Sequence, residues 1–230
     1  TQSIAGFTTT GTVSMTKTGG TANLQGAITA GGLTLNGVGG TLNLGAFTHQ
    51  VNGDVLITNG TLNLPASSTL GLTGNFTNNG TLTFPPNSGT VLFNGTVSQT
   101  INSGGAGVGK TFNYIQINNP AGVVLSTNDL STSTCYLQSG AVTTGSNKFI
   151  VSSNSEGAIS LLTGYIIGNL QRAIINTGST NYGFPVGTAS SSAFAHISFS
   201  SLSSVGNFSV NVTEGQHGTP AGNPVNNSKD

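Results

Sequence analysis

A five-residue motif that returns at a constant interval constrains the fold of this chain more than any other feature. Its four copies are GTANL at 20–24, GTLNL at 40–44, GTLNL at 60–64 and GTLTF at 80–84. Apolar side chains occupy the third and fifth positions of each copy, and Thr or Asn occupies the second and fourth. Because successive residues of a strand point to opposite sides, each copy is predicted to be a strand with one apolar and one polar side.

The constant register predicts that these strands stack as successive coils of a parallel β-helix, since stacking buries apolar pairs that one coil could not bury alone. The pattern continues more loosely through Ile115 and Cys135, which have the same separation, and Asn-Gly dipeptides lie between the strands. We predict about seven coils between residues 12 and 152. A meander of antiparallel hairpins is the rival interpretation because Asn-Gly also favours hairpin turns, but hairpins alone do not enforce a constant register.

The pattern changes after about residue 157, where longer alternating strands are predicted at 165–174, 194–199 and 208–213. The sequence therefore predicts a parallel β-helix over 1–156 and a small antiparallel β-sheet or sandwich module over 157–230, ending in a polar tail. The exposed backbone groups at the end of a solenoid need a cover, and the second module would supply one.

Charge is unusually sparse, which excludes several classes of partner. Only 4% of the 230 residues are charged and the formal net charge is +0, whereas ordinary domains carry about 25% charged residues. Nucleic acid and anionic membrane surfaces are therefore not expected partners. No run of about 18 apolar residues is present, so membrane insertion is not expected. The single cysteine, Cys135, excludes an internal disulfide and is predicted to be a buried apolar residue.

One segment matches the phosphate-loop pattern G-x-x-x-x-G-K-[ST]: Gly104 to Thr111, with Lys110 in the lysine position. That mechanism needs a helix after the loop, whose N-terminal amides hold the phosphates. Here the alternating segment 112–117 predicts a strand instead. We therefore interpret the segment as a loop between coils and expect no nucleotide cofactor.

Acidic and metal-ligating residues are too few and too dispersed to predict a catalytic centre. Asp54 and Asp129 are separated by nearly four coils, or about 18 Å of axial rise, which is too far for paired glycosidase carboxylates. Asp129 and Glu156 are the least distant pair. The histidines, His49, His196 and His217, are expected to be surface or turn residues, and no spacing suggests a metal site. The chain is therefore expected to have no enzymatic activity, cofactor or metal.

The polar sides of the four repeats form one surface array. If they stack, their side chains repeat at about 4.8 Å between coils and about 6.7 Å along each strand. Such a lattice could bind ice or a glycan, but stacked Asn and Thr side chains also stabilise solenoids by mutual hydrogen bonds. The candidate site residues are Thr21, Asn23, Thr41, Asn43, Thr61, Asn63, Thr81 and Thr83.

Several segments beyond the repeat resemble a known family. They are GTLNL (40–44), VLFNGT (91–96), QTI (99–101), FNYIQINNPAGV (112–123), GYIIGNLQR (164–172) and YGFPVG (182–187). Together they resemble the β-strand-repeat, adhesin-like surface proteins of Bacteroidota, which are often type IX secretion cargo. The resemblance implies a fragment of a longer polypeptide that is secreted or attached to the cell surface.

Three functions follow from these observations. The first is a non-catalytic structural or adhesive segment of an extracellular surface protein or filament, with self-association, neighbouring domains of the same protein or surface glycans as partners. The second is a glycan- or ice-binding module that uses the outward Thr/Asn ladder. The third is a polysaccharide-active β-helix enzyme, which would depend on Asp129 or Glu156.

Overall fold

A computed structural model of the chain describes residues 1–85, 89–175, 180–200, 204 and 206–214. It consists almost entirely of β-strands, which form a parallel solenoid of about nine turns with a small antiparallel sheet at its C-terminal end. The predicted all-β fold, a parallel β-helix followed by a small antiparallel module, is confirmed. Each coil crosses three sides of a triangular prism, and strands of neighbouring coils pair in parallel, except on one side where the loop 104–111 replaces a strand.

The first side, named the ladder side, carries the five-residue repeat. Its strands are β1 (Gln2–Ile4), β4 (Gly20–Leu24), the ends of β6 (Gly32–Asn43) and β8 (Val55–Asn63), β11 (Thr81–Thr83), and, farther along, the start of β16 (Leu130–Ser139) and the ends of β17 (Ala141–Val151) and β19 (Tyr165–Ile174). Thr41 pairs with Thr21 below it and with Thr61 above it, as the register predicts.

The second side, named the tyrosine side, follows the ladder side in each coil. Its strands are β2 (Phe7–Thr8), β5 (Ile28–Ala30), β7 (Thr48–Val51), β9 (Thr69–Leu72), β12 (Thr90–Phe93), β14 (Phe112–Asn118), the end of β16 and β18 (Ile159–Leu161).

The third side, named the groove side, completes each coil. Its strands are β3 (Thr12–Met15), the starts of β6 and β8, β10 (Phe76–Asn78), β13 (Gln99–Asn102), β15 (Val123–Leu125) and the starts of β17 and β19. The pairs on this side show that the coils differ in length. The coil from Phe76 to its partner Ile101 has more residues than the coil from Val123 to its partner Val142.

The core is a set of apolar columns inside the prism. The repeat supplies one column, in which Leu42 stacks between Ala22 and Leu62, and all three side chains are buried. Aromatic rings fill the middle of the solenoid, where Phe76 packs against the ring of Phe112 with centroids 5.3 Å apart. Cys135 belongs to this core and is buried as predicted.

One corner glycine shows why the Asn-Gly turns recur. Gly60 has φ +82°, and a Cβ there would lie 2.5 Å from the carbonyl oxygen of Gly37 in the coil below. The preceding Asn59 donates from Nδ2 to Oδ1 of Asn36 at 2.8 Å. Glycine therefore permits the close approach of two coils at this corner, and the asparagine pair ties them together.

The parallel pairing continues past residue 156, because β19 is parallel to β17 as far as the pair Val151 and Arg172. A 3-10 helix, Glu156–Ala158, precedes β18. Antiparallel pairing begins with β20 (Thr180–Gly187) and β21 (Ser192–Phe199), and β22 (Gly206–Val210) is antiparallel to β19. The predicted polar tail from residue 215 to Asp230 lies outside the described residues.

Candidate functional site

The ladder side brings all eight sequence-predicted site residues together in register. Thr21, Thr41, Thr61 and Thr81 form one outward column, and Asn23, Asn43, Asn63 and Thr83 form the other. All eight side chains are half-buried.

The asparagine column is a chain of hydrogen bonds between coils. Thr83 Oγ1 donates to Asn63 Oδ1 at 2.8 Å, Asn63 Nδ2 donates to Asn43 Oδ1 at 3.2 Å, and Asn43 Nδ2 donates to Asn23 Oδ1 at 2.9 Å. Asn43 Oδ1 also accepts from the backbone N–H of Gly45 at 3.2 Å. Much of the bonding capacity of these side chains therefore lies between coils.

The threonine column differs from the asparagine column. None of the four hydroxyl groups of Thr21, Thr41, Thr61 and Thr81 hydrogen-bonds to another of the residues that the structure describes. The column therefore presents free hydroxyl groups at a spacing of about 4.8 Å.

The loop with the phosphate-loop pattern lies above β11, the strand of the last copy of the five-residue repeat. Its Gly109 carbonyl accepts from the backbone N–H of Leu82 at 2.8 Å, in place of a further strand. Lys110 Nζ donates to the carbonyl of Asn78 at 2.9 Å and to that of Gly80. A strand, β14, follows the loop, as predicted. The lysine is therefore bound to backbone carbonyls and does not face an anion site.

The carboxylates of the solenoid bind the backbone of the following coil. Asp54 Oδ1 accepts from Asn75 N at 2.7 Å, and Asp129 Oδ1 accepts from Lys148 N at 2.8 Å. Glu156 Oε1 accepts from the N–H of Asn181 at 3.2 Å. The sequence analysis did not identify this shared role. It could have been recognised from the separation of each acid and its partner, which is about one coil.

His49 is not a surface or turn residue, and that prediction is wrong. Its side chain is fully buried in β7, where Nδ1 accepts from the backbone N–H of Ile28 at 3.2 Å and Nε2 donates to the carbonyl of Leu44 at 2.9 Å. Burial lowers the pKa of His49, although the bond to Leu44 acts in the opposite direction. The neutral ring therefore joins two coils. His196 is exposed in β21, and His217 lies outside the described residues.

Arg172 is a buried cation at the C-terminal end of the solenoid, with 1% of its surface exposed. Nη1 donates to the carbonyl of Gly183 at 2.7 Å, and Nη2 donates to those of Ser155 and Glu156, each at 2.9 Å. The guanidinium carbon lies 5.0 Å from the ring centroid of Tyr182. One side chain therefore connects β19, the 3-10 turn and β20.

The tyrosine side carries two tyrosines on adjacent coils, Tyr114 and Tyr136. Tyr114 pairs with Thr134, and Tyr136 pairs with Gln116. Both tyrosine side chains are half-buried and point outward, because the alternate residues Ile115 and Cys135 enter the core. Burial, with smaller contributions from Cys135 and Tyr136, raises the pKa of Tyr114.

Two outer grooves lie on the groove side among the residues that the structure describes. The lower groove, with a volume of about 540 Å³, is lined by the outward column Thr34, Leu56 and Thr77 and by Asp54. The upper groove, of about 410 Å³, is lined by Val124 and Tyr165 among others.

Within the described part of the chain, no three or more His, Cys, Asp or Glu residues are grouped so as to hold a metal ion. The described residues also contain no helix that is long and apolar enough to cross a membrane. Comparisons of the chain with protein-family models, with curated proteins and with solved structures find no match.

Proposed function

We propose that this chain is a non-catalytic structural and adhesive segment of an extracellular surface protein or filament, in which the solenoid is a stiff spacer. The observation that carries the proposal is the parallel pairing of each coil with the next, which is continuous on the tyrosine side and the groove side and is interrupted on the ladder side only by the loop above β11. Bending such a body would stretch backbone hydrogen bonds along one side and compress the core along another, so the coils resist it together.

The polar side chains that are candidate catalytic, metal-ligating or phosphate-binding groups by residue type support this proposal, because several of them connect one coil to another. Asp54, Asp129 and Glu156 each accept from a backbone N–H one coil away. His49 and Lys110 likewise bond to backbone groups of other strands. A carboxylate or imidazole with such a partner contributes to the stability of the solenoid.

The distribution of charge suits a spacer that works in changing ionic surroundings. Lys17, Asp54 and Lys110 lie at or beside the corners between the sides of the solenoid. Since few exposed ion pairs exist to be screened, the length and stability of the solenoid should respond little to salt.

Small-angle X-ray scattering of the purified chain tests the spacer, with electron microscopy and mass determination for the filament. We expect a rigid rod whose solenoid part is about 43 Å long, from nine coils at about 4.8 Å each, unchanged between low and high salt. A scattering profile typical of a flexible chain would contradict the spacer. Ordered fibres would support the filament version, and a monodisperse monomer would contradict it.

The threonine column favours a second candidate function, the binding of ordered water at an ice surface. The asparagine amides of the same side are already bonded to one another, so a ligand would chiefly meet free hydroxyl groups. We expect the double variant Thr41→Tyr and Thr61→Tyr to lose any inhibition of ice recrystallisation, with Thr34→Tyr on the groove side as the control. A chain that does not inhibit recrystallisation would refute this candidate.

A further inference from the structure

The four tyrosines of the chain fall into two classes. Tyr165 and Tyr182 have structural hydrogen bonds, since their hydroxyl groups donate to the carbonyls of Thr188 at 3.3 Å and Asn154 at 2.8 Å. The hydroxyl groups of Tyr114 and Tyr136 have no hydrogen-bond partner among the residues that the structure describes. Both lie on the outer surface of the tyrosine side, one coil apart. Tyrosine combines an apolar ring with a polar hydroxyl group and is enriched at binding interfaces, so two such rings on one outer surface suggest an external ligand.

Amide side chains next to these rings are held in fixed orientations. Gln116 lies in register with Tyr136, and its Nε2 donates to Oε1 of Gln138 at 2.7 Å. This bond orients both amides and leaves the Gln116 carbonyl and the Gln138 amino group with capacity for an outside partner.

A second amide pair lies lower on the same side. Asn94 Nδ2 donates to Oε1 of Gln50 at 3.1 Å, across the coil that contains Gly71. A Cβ at Gly71 would lie 2.6 Å from Gln50 Oε1, so glycine leaves room for this bond. The outer surface of the tyrosine side thus has amides that are oriented before any ligand arrives, which reduces the entropy cost of binding.

No strand segment of the tyrosine side contains Asp, Glu, Lys or Arg among the described residues. Its partner is therefore expected to be uncharged, because an ionic ligand would lose hydration without gaining a counter-charge. The outward residues are aromatic, amide, hydroxyl and a few aliphatic groups, with Leu92 in the coil below Gln116. Aromatic rings beside fixed amides suit a ligand that has both C–H faces and hydroxyl groups, and sugar rings have both.

We propose that the outer surface of β12, β14 and the end of β16 binds an uncharged polysaccharide chain. The residues that carry this surface are Thr90, Leu92, Tyr114, Gln116, Tyr136 and Gln138. The Cα atoms of Tyr114 and Tyr136 are about 8 Å apart, from one strand spacing and two residues along the strand. One oligosaccharide can therefore contact both rings with its C–H faces while its hydroxyl groups bond to the amides. This inference deepens the adhesive part of the proposed function and rests on it.

Affinity electrophoresis of the full chain tests the inference, with four probes in the gel: hydroxyethyl cellulose, a β-1,3-glucan, a mannan and, as the anionic comparison, polygalacturonate. We expect retardation by at least one of the three uncharged polysaccharides. The double variant Tyr114→Ala and Tyr136→Ala should lose roughly tenfold or more in affinity, as removal of central aromatic contacts usually does. The variant with Phe at both positions keeps the rings and should lose less.

The matched control is the double variant Thr34→Ala and Thr77→Ala on the groove side, which should bind as the unmodified chain does. Circular dichroism and scattering on every variant establish that the rod is intact. Retardation by none of the uncharged probes, stronger retardation by polygalacturonate, or an equal loss in the control would each overturn the inference. Loss of the rod shape with binding retained would instead contradict the proposed spacer function.

Discussion

Among the residues of the asparagine column, Asn43 is the one whose substitution should lower the stability of the fold most. Its side chain donates to Asn23 and accepts from Asn63 and from the backbone N–H of Gly45. A typical hydrogen bond contributes about 0.5–1.5 kcal/mol net. Since Asn43 is half-buried, water can replace part of the loss, and we expect Asn43→Ala to lower the free energy of unfolding by about 1–3 kcal/mol. Asn23 has one ladder bond, so Asn23→Ala should cost less.

The matched control is Thr41→Ala, because Thr41 lies in the same strand, points outward and has no side-chain hydrogen bond to another described residue. Its effect should stay within the roughly 1 kcal/mol range of strand propensity. The free energies come from guanidinium unfolding followed by circular dichroism, with equal m-values required for a valid comparison. If Asn43→Ala is no more destabilising than Thr41→Ala, the ladder contributes nothing to stability and the reasoning is refuted.

Three further predictions concern side chains that the solenoid buries or binds. Because burial lowers the pKa of His49 below the unfolded value of about 6.5, stability should be complete above that pH and fall as the pH drops toward the folded pKa. His49→Gln should weaken this pH dependence of unfolding. Lys110→Met should lower the free energy of unfolding by about 1–3 kcal/mol, because the carbonyls of Asn78 and Gly80 lose the donor that Lys110 provides. ATP should not raise the melting temperature of the unmodified chain. Burial raises the pKa of Cys135 to about 12, so iodoacetamide at pH 8 should label the thiol only after unfolding, and labelling of the folded chain would contradict the buried site.

The parallel solenoid could be predicted because the repeat keeps both its constant step and its alternation. Thr41 and Asn43 lie where the register places them, and Leu42 enters the core between them. The stacking of the candidate residues followed from the same step. Whether their side chains bond to one another or face a ligand could not be predicted, since rotamers are decided by local packing.

The contacts of the charged and buried polar residues were not predictable, because coil length varies away from the ladder side. Asp54 bonds to a residue 21 positions on, and Glu156 bonds to one 25 positions on. A constant step cannot align such pairs. Arg172 was equally hidden, since its partners are backbone carbonyls, which every residue supplies regardless of its side chain. The continuation of parallel pairing beyond residue 156 was also not predictable, because the five-residue motif is absent from these later coils.

The register of the ladder also limits how such a protein can change in length during evolution. Thr21, Thr41 and Thr61 remain aligned only while any change in chain length between them falls at a corner and not within a strand. Loss or gain of one residue within a strand would turn the core side chains outward, whereas duplication of a whole coil preserves every column and lengthens the rod by about 4.8 Å. The corners are different, because coils of unequal length coexist on the groove side. Relatives should therefore differ by whole coils and by corner insertions, and their strands should keep a constant length.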